Sequence, residues 1–212
     1  MTPSRLLLFT LILFTCLLLF LDRPVFPTDA PALSATLPHI PRAPQRQSVH
    51  GYEREAFSDW APTLIDGHSC TTRTQILTQA FAAPAAADCS VTPTPGIKDP
   101  YSGAELSNPV EIDHIFPLRA AWDLGAHSWT PETRARFAND PSNLVAVSKE
   151  ANQAKSDLLP SQWLPSRTNT RCWYSRRLAH VAATYQLALP TADIRVMQQA
   201  CSVSEFPGVW LR

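Results

Sequence analysis

Two groups of residues in this chain have the types and spacing needed to hydrolyse a phosphodiester. The first is the pair Asp113-His114, and the second is the motif Asn152-x-x-Lys155. Such hydrolysis needs an activated water on one side of phosphorus and a group that stabilises charge on the leaving oxygen on the other. A histidine with a pKa near neutrality suits the first task, and a hard divalent cation with oxygen ligands suits the second. Asp113 offers a carboxylate oxygen and Asn152 an amide oxygen, so the pattern favours a metal-dependent phosphodiesterase.

Two further residues are predicted to support this chemistry. Lys155 lies one helical turn after Asn152 and shares its face, where it can meet a phosphate or pair with a site carboxylate. Asn143 opens a predicted strand just after a turn, a position where an amide side chain commonly ties loop backbone together. We therefore group Asn143 and Lys155 with His114 as candidate catalytic residues.

The element that must position Asp113 and His114 is a strand over residues 110–116, where apolar residues alternate with others and Pro117 ends the run. His114 falls on one face of this strand and Asp113 on the other. Because neighbouring side chains of an ideal strand diverge, the two converge on one phosphate only if the strand bends. The nearby proline makes such a bend our expectation.

The second group of residues is predicted to lie on a helix that follows another strand. A short β-branched run at 144–147 predicts the strand, and Ser148 is a suitable N-cap for a helix over 149–157. The order is therefore strand, strand, helix. Residues 99–103 have the composition of a turn, and helical spacing predicts further helices near 52–60, 72–81, 118–124, 131–137, 174–185 and 194–201.

The N-terminal region has the features of a secretory signal. Residues 6–21 form an almost unbroken apolar run, preceded by Arg5 and followed by several prolines. We predict a signal peptide over residues 1–23, with a retained signal-anchor as the alternative because the run approaches the length of a membrane span. Residues 24–48, rich in proline and without a periodic apolar pattern, are expected to form an extended linker before a domain at 49–212. The protein is then secreted, or membrane-anchored outside the cytoplasm if the leader is retained.

The cysteines predict a disulfide framework. Of the five cysteines only Cys16 lies in the leader, so an even number remains in an exported chain, where oxidation is permitted. None of them lies in a C-x-x-C pair, which argues against a structural zinc site. Three connectivities are possible, and we predict the sequence-local one, in which Cys70 pairs with Cys89 and Cys172 with Cys201.

Overall charge gives the chain no general attraction to nucleic acid. Lysines plus arginines and aspartates plus glutamates are 18 each, so the formal net charge is zero. Phosphate binding must then come from a local patch. Four arginines cluster after the candidate site and are the expected patch: Arg167, Arg171, Arg176 and Arg177.

At these residues the chain resembles the HNH endonucleases of the ββα-metal (His-Me finger) class. A closer resemblance is to secreted HNH proteins that share a domain with the C-terminal part of GmrSD-type restriction enzymes. The HNH domain of RNA-guided CRISPR nucleases has a similar Asp-His, Asn, Asn-x-x-Lys order. The resemblance runs from about Tyr52 to Trp163 and is carried by Tyr52-x-Arg54, Asp66-Gly67, Cys70-x-Thr72-Arg73, Asp99-Pro100-Tyr101-Ser102-Gly103, Ile112-Asp113-His114, Ala121-Trp122, Trp129-Thr130, Phe137-Ala138-Asn139-Asp140 and Asn152-x-x-Lys155-Ser156-Asp157.

The resemblance implies an α+β fold, a mainly helical domain around a small ββα-metal motif. It implies that His114 is the general base, that Asp113 and Asn152 are metal ligands, and that Asn143 orders the loop. Many HNH proteins have histidine at the last ligand position. Because Asn152 is a neutral oxygen ligand instead, we expect one Mg²⁺ or Mn²⁺ rather than zinc.

The implied function is a secreted endonuclease that cleaves DNA, or RNA, with low sequence specificity. Specificity is expected to be low because the remaining length contains no base-reading module, so contacts should be to the nucleic-acid backbone. Nucleic acid is the expected partner, no stable protein partner is predicted, and a membrane is involved only if the leader is retained. The alternative is a non-catalytic extracellular binding module that keeps the HNH fold.

Overall fold

The computed structural model describes residues 8–15 and 30–205 of the chain. The strands of this part are β1 (Arg42–Ala43), β2 (Pro62–Ile65), β3 (His68–Thr71), β4 (Val110–His114), β5 (Leu144–Ser148) and β6 (Leu189–Pro190). Residues 8–15 are helical. The helices of residues 30–205 are α1 (Leu33–Thr36), α2 (Thr72–Phe81), α3 (Leu118–Asp123), α4 (Pro131–Ala138), α5 (Lys149–Lys155), α6 (Arg171–Thr184), α7 (Thr191–Ala200) and α8 (Ser202–Glu205). Short 3₁₀ helices occupy Leu37–His39, Arg54–Phe57, Ala126–Ser128, Pro141–Asn143 and Thr168–Thr170.

The sheets in the described residues are small, and each has two strands. β4 and β5 pair antiparallel, as do β2 and β3, whereas β1 and β6 run parallel. The architecture is thus mixed α/β with helices in the larger share, which agrees with the predicted fold class at that level. The β2–β3 hairpin was not predicted, and the helix expected at 52–60 is only the 3₁₀ turn Arg54–Phe57.

Helix α5 follows β5 directly and packs on both strands of the β4–β5 pair. Ser148 caps it, because its Oγ accepts a hydrogen bond from the amide of Ala151 at 3.3 Å. The helix ends at Lys155, two residues earlier than predicted, since Ser156 has a φ of 49°, in the left-handed region that terminates helices. Strand, strand and helix therefore occur in the predicted order.

The β4–β5 pair lies between two apolar cores. Val110 and Ile112 of β4 face a smaller core that includes Ile76 and Leu77 of α2. On β5 the alternation sends Leu144 and Ala146 to this smaller core, and Val145 and Val147 to the main core. The β4 residues that pair with Val147 and Val145 are Glu111 and Asp113, so two acids interrupt an otherwise apolar buried face. Such breaks in a local pattern are typical of functional sites.

Residues 30–48 differ from the extended linker predicted for 24–48. Leu33, Leu37 and Ile40 are buried in the main core, and β1 pairs with β6 through Arg42 and Leu189. The proline in the first turn of Leu37–His39 is tolerated because that position needs no amide donor. The packed structure therefore begins upstream of residue 49, while residues 24–29 lie outside the described part.

The predicted leader is only partly described, since residues 1–7 and 16–23 lie outside the described part. Within the described residues, no helix combines the length and the apolar character required to cross a bilayer.

Both predicted disulfides are confirmed. Cys70 is bonded to Cys89, with their Cα atoms 5.5 Å apart, and Cys172 to Cys201, with Cα atoms 4.7 Å apart. The second bridge joins the start of α6 to the residue after α7, as an antiparallel helix pair requires.

Candidate functional site

The predicted bend of the first strand is not observed. β4 keeps a regular register with β5 to its last residue, with Asp113 opposite Val145 and His114 opposite Leu144. The two side chains therefore diverge, Asp113 toward α5 and His114 toward Ala138 at the end of α4. They nevertheless occupy adjacent positions at one end of the strand.

Asp113 is held by two buried side chains. Its Oδ2 accepts a hydrogen bond from the hydroxyl of Tyr101 at 2.7 Å, and the Lys155 ammonium lies 3.0 Å from Oδ1 and 2.9 Å from Oδ2. Burial raises the pKa of Asp113, and the neighbouring lysine and tyrosine oppose that rise. The structure thus brings Asp113 and Lys155 together, which is one of the two alternatives predicted for Lys155.

Lys155 has no exposed surface, although lysine is almost never fully buried without a partner. Besides Asp113, its ammonium donates to the carbonyl of His114 at 2.8 Å. Burial lowers the pKa of Lys155, and the adjacent Asp113 carboxylate counteracts this. The lysine therefore ties α5 to the end of β4 at the point where the Asp-His pair lies.

His114 has a defined tautomer in this environment. Its Nε2 lies 2.9 Å from the carbonyl oxygen of Ala138, and since a carbonyl only accepts, Nε2 must carry the proton. In the neutral ring Nδ1 is then the nitrogen with a free electron pair. Burial lowers the pKa of His114 to about 3, because the charged ring would be desolvated and would face the positive charges of Arg54 and Lys155. The ring is therefore neutral at physiological pH.

Trp60 covers one side of His114. The two rings are parallel within 4°, with centroids 6.0 Å apart. Both residues line a cavity of about 110 Å³ together with Arg54, Ser58 and Asn139. The cavity gives the histidine contact with a space that can hold water.

Asn143 is fully buried and fixes the segment after β4. Its Oδ1 accepts from the amide of Phe116 at 2.7 Å, and its Nδ2 donates to the carbonyl of Phe116 at 3.4 Å. The Asn143 carbonyl also accepts from the amide of Ile115 at 2.7 Å. Asn143 thus lies where loop ordering was predicted, and it contacts backbone rather than an ionisable group.

Two members of the predicted arginine patch, Arg176 and Arg177, have partners within the protein. Arg177 is buried and donates to the carbonyls of Pro141, Ser142 and Leu144, which surround Asn143. Arg176 pairs with Glu205 at 2.5 Å. Arg177 lies on the inward side of α6, where it organises the turn before β5, so proximity in sequence did not imply a shared surface.

Tyr101 and Asp99 belong to the site although only their turn was predicted. Asp99 Oδ2 accepts from the amide of Ser148 at 2.8 Å and from its hydroxyl at 2.6 Å, while Oδ1 accepts from the amide of Tyr101 at 2.7 Å. The turn therefore fixes both the N-terminus of α5 and the tyrosine that binds Asp113. The buried Asp-Pro-Tyr sequence was the signal that could have indicated this, since an aspartate before a tight turn commonly binds backbone.

Asn152 faces β4 from α5, but its partner is Glu111 and not Asp113. The Nδ2 of Asn152 donates to Glu111 Oε2 at 2.7 Å. Glu111 precedes Asp113 by two residues and shares its face of the strand. The amide thus lies one helical turn from Lys155 and next to the candidate pair, on the Asp113 side.

Residues 76–192, more than half of the chain, match the family described as GmrSD restriction endonucleases, C-terminal domain. The chain belongs to this family. The matched segment contains β4, β5 and α5, and also Tyr101, which donates a hydrogen bond to Asp113. Membership in the GmrSD C-terminal domain family relates the chain to nuclease-like proteins.

A curated relative shares 37% identity with this GmrSD C-terminal domain protein over 180 residues, which covers 77% of this chain and 86% of the relative. It is named "Uncharacterized secreted protein" and comes from Arthroderma benhamiae. Together with the two disulfides, this relative supports secretion, so we describe the protein as secreted. No solved structure matches the chain.

The oxygen groups between β4 and α5 fit a hard divalent cation. A carboxylate has about four acceptor positions, and among the described residues the Asp113 carboxylate accepts hydrogen bonds from Tyr101, Lys155 and the backbone of His114. These bonds leave room for one further ligand. Glu111 and the amide of Asn152 add further oxygens nearby. In the described residues, three His, Cys, Asp or Glu ligand atoms come within 4.8 Å of one another at Cys172, Cys201 and Glu205, but that disulfide removes both thiolates. The donor atoms near Asp113 and Asn152 are oxygens, which is the ligand type that Mg²⁺ and Mn²⁺ prefer.

Proposed function

We propose that the protein is a secreted, metal-dependent endonuclease of the HNH type, which hydrolyses phosphodiester bonds in DNA, and in RNA as a second substrate. In this proposal β4, β5 and α5 form the ββα-metal motif. The observation that carries it is the position of the neutral His114, with Nε2 bound to Ala138, at the strand end that also presents Asp113 to α5. Membership in a nuclease-related family supports the same reaction class.

His114 is the proposed general base. The Ala138 carbonyl holds the ring so that Nδ1 has the free electron pair. A pKa of about 3 makes the ring a weak base in the unliganded site, so in this proposal an anionic phosphate bound beside it raises the pKa of His114 before the ring accepts a proton from the attacking water. The cavity beside the ring, of about 110 Å³, is far smaller than a typical small-molecule pocket of roughly 300–1,000 Å³. It therefore suits a water next to a backbone phosphate better than a whole nucleobase, in keeping with low sequence specificity.

Asp113 and Asn152 are the proposed ligands of one Mg²⁺ or Mn²⁺. Such an ion, when bound, stabilises negative charge on phosphate and on the leaving oxygen. Lys155 keeps the buried Asp113 ionised and oriented, since its ammonium contacts both carboxylate oxygens.

The deciding experiment is plasmid and RNA degradation by the purified, disulfide-bonded protein with Mg²⁺ or Mn²⁺ and with EDTA. Wild type should cleave only with the metal. His114→Gln, which keeps a donor for Ala138, should lose at least about a hundredfold in rate, in the range expected for a general base. His68→Ala, at an exposed position of β3, is the matched control and should cleave as wild type does.

A folded wild type that shows no EDTA-sensitive, His114-dependent cleavage would contradict the proposal. The non-catalytic binding module would then be the remaining interpretation. Circular dichroism of each variant separates loss of chemistry from loss of fold.

A further inference from the structure

The contact between Glu111 and Asn152 carries an inference that rests on the proposed metal site. Glu111 Oε2 accepts from Asn152 Nδ2 at 2.7 Å, across the interface between β4 and α5. We infer that Glu111 is a positioning residue, which fixes the Asn152 amide so that its oxygen, rather than its nitrogen, is available to a divalent cation.

The chemistry of the two groups sets the orientation. An amide has an NH₂ end and an oxygen end of nearly the same shape, whereas an ionised carboxylate can only accept hydrogen bonds. Glu111 therefore binds the NH₂ end. The amide oxygen then points away from Glu111, and in the part of the chain that the structure describes no group donates a hydrogen bond to it.

The contact is one of two parallel pairs at this interface. Glu111 and Asp113 are two residues apart on β4, and Asn152 and Lys155 are one turn apart on α5. Asp113 and Lys155 neutralise each other, so the uncompensated charge of these four side chains is the single negative charge of Glu111. Glu111 thus both orients the neutral ligand and supplies charge that attracts a cation.

An Mn²⁺ titration of the purified protein by calorimetry tests the inference without relying on catalysis. Glu111→Gln preserves shape but offers both a donor and an acceptor to the amide, so it should weaken Mn²⁺ binding by about tenfold or more, as loss of a supporting partner to a metal ligand commonly does. Glu150→Gln removes the same charge from an exposed position on α5 and should change the affinity by less than about twofold, because solvent screens an exposed charge.

The inference also predicts a compensation. Asn152→Asp alone places a second carboxylate against Glu111, so like charges repel each other. This variant should have a lower melting temperature than wild type and an altered Mn²⁺ affinity. Glu111→Gln combined with Asn152→Asp exchanges acceptor and donor, keeps the net charge, and should restore Mn²⁺ affinity to within about threefold of wild type. In ¹⁵N spectra, the side-chain amide resonance of Asn152 should shift in Glu111→Gln and stay unchanged in Glu150→Gln.

The outcomes separate the inference from the proposed function. A wild type that does not bind Mn²⁺ overturns the metal site and the inference with it. A wild type that binds Mn²⁺, with Glu111→Gln equal to wild type or equal to Glu150→Gln, overturns the inference alone. Melting temperatures of all variants verify that each is folded during titration.

Discussion

The ammonium of Lys155 lies 3.0 Å from Oδ1 and 2.9 Å from Oδ2 of Asp113, and the lysine has no exposed surface. The ammonium and the carboxylate are both buried away from water, so neither charge is stable there without the other. The pair links the end of β4 to the last residue of α5. The role of the pair is therefore to let an ionised carboxylate exist inside a mostly apolar interface.

Lys155→Met should lower the free energy of unfolding by about 3–5 kcal/mol, because it leaves a buried carboxylate without its counter-ion. The double variant Lys155→Met/Asp113→Asn should regain at least half of that loss, since no unpaired charge remains. Urea unfolding in EDTA measures both values. Equal stability of the single variant and wild type would show that the pair is not buried in solution.

Asn143→Ala should separate positioning from binding. Deleting the amide leaves the buried backbone amide of Phe116 without its acceptor, which should cost about 1–3 kcal/mol in unfolding free energy. Because the segment after His114 then loses its tether, kcat of plasmid cleavage should fall while KM changes little. A variant that keeps kcat at a temperature where it is fully folded would exclude the tethering role.

Arg177→Lys should be more damaging than Arg176→Lys, although the two positions are neighbours. A lysine cannot reach the carbonyls of Pro141, Ser142 and Leu144 in the forked arrangement that the guanidinium uses. We expect Arg177→Lys to lower the free energy of unfolding by about 1–3 kcal/mol. Arg176→Lys should lower it less, because a lysine at this position can keep the ion pair with Glu205. Thermal unfolding of the two variants side by side measures the difference. A lower stability of Arg176→Lys than of Arg177→Lys would refute the prediction.

The low pKa of His114 makes the fold sensitive to acid. Its folded pKa of about 3 lies below the ordinary value of 6.5, so the unfolded chain binds the proton more readily between these limits. The contribution of the neutral His114 ring to the free energy of unfolding is fully present above pH 6.5. It is lost as the pH falls toward 3, at up to about 1.4 kcal/mol per pH unit.

Unfolding of wild type and His114→Gln in EDTA from pH 7.5 to 4.5 measures this slope. Asp113 has a raised pKa and contributes in the opposite sense at the acid end, but it is present in both proteins. Their difference in stability therefore isolates His114 and should shrink as the pH falls. A constant difference would mean that the ring titrates normally in the fold.

Much of this site was predictable because its elements have strong local patterns. The alternation of 110–114, the cap at Ser148 and the breaker at Pro117 indicate two strands and a helix without tertiary knowledge. Lys155 followed Asn152 by one turn, so its position beside a site carboxylate was a matter of helix geometry.

The rest depended on contacts between distant segments. Nothing local shows that Tyr101 reaches Asp113, or that Glu111 rather than Asp113 receives the Asn152 amide. The bend expected before Pro117 did not occur, because the ladder with β5 holds β4 straight to His114. The prediction that Arg177 belongs to a phosphate-binding patch was wrong, because it assumed that a charged residue on a helix faces solvent. The packing of α6 instead directs Arg177 to backbone carbonyls.

The burial of Leu33, Leu37 and Ile40 and the pairing of β1 with β6 set a limit on maturation. If a protease removes an N-terminal leader, a cut at residue 48 would take away β1 and the side chains of Leu33, Leu37 and Ile40, so we expect the cut to lie ahead of these residues. After a cut at residue 48 the secreted protein would lack the segment that packs on α6 and pairs with β6, so its stability outside the cell depends on its N-terminal residues.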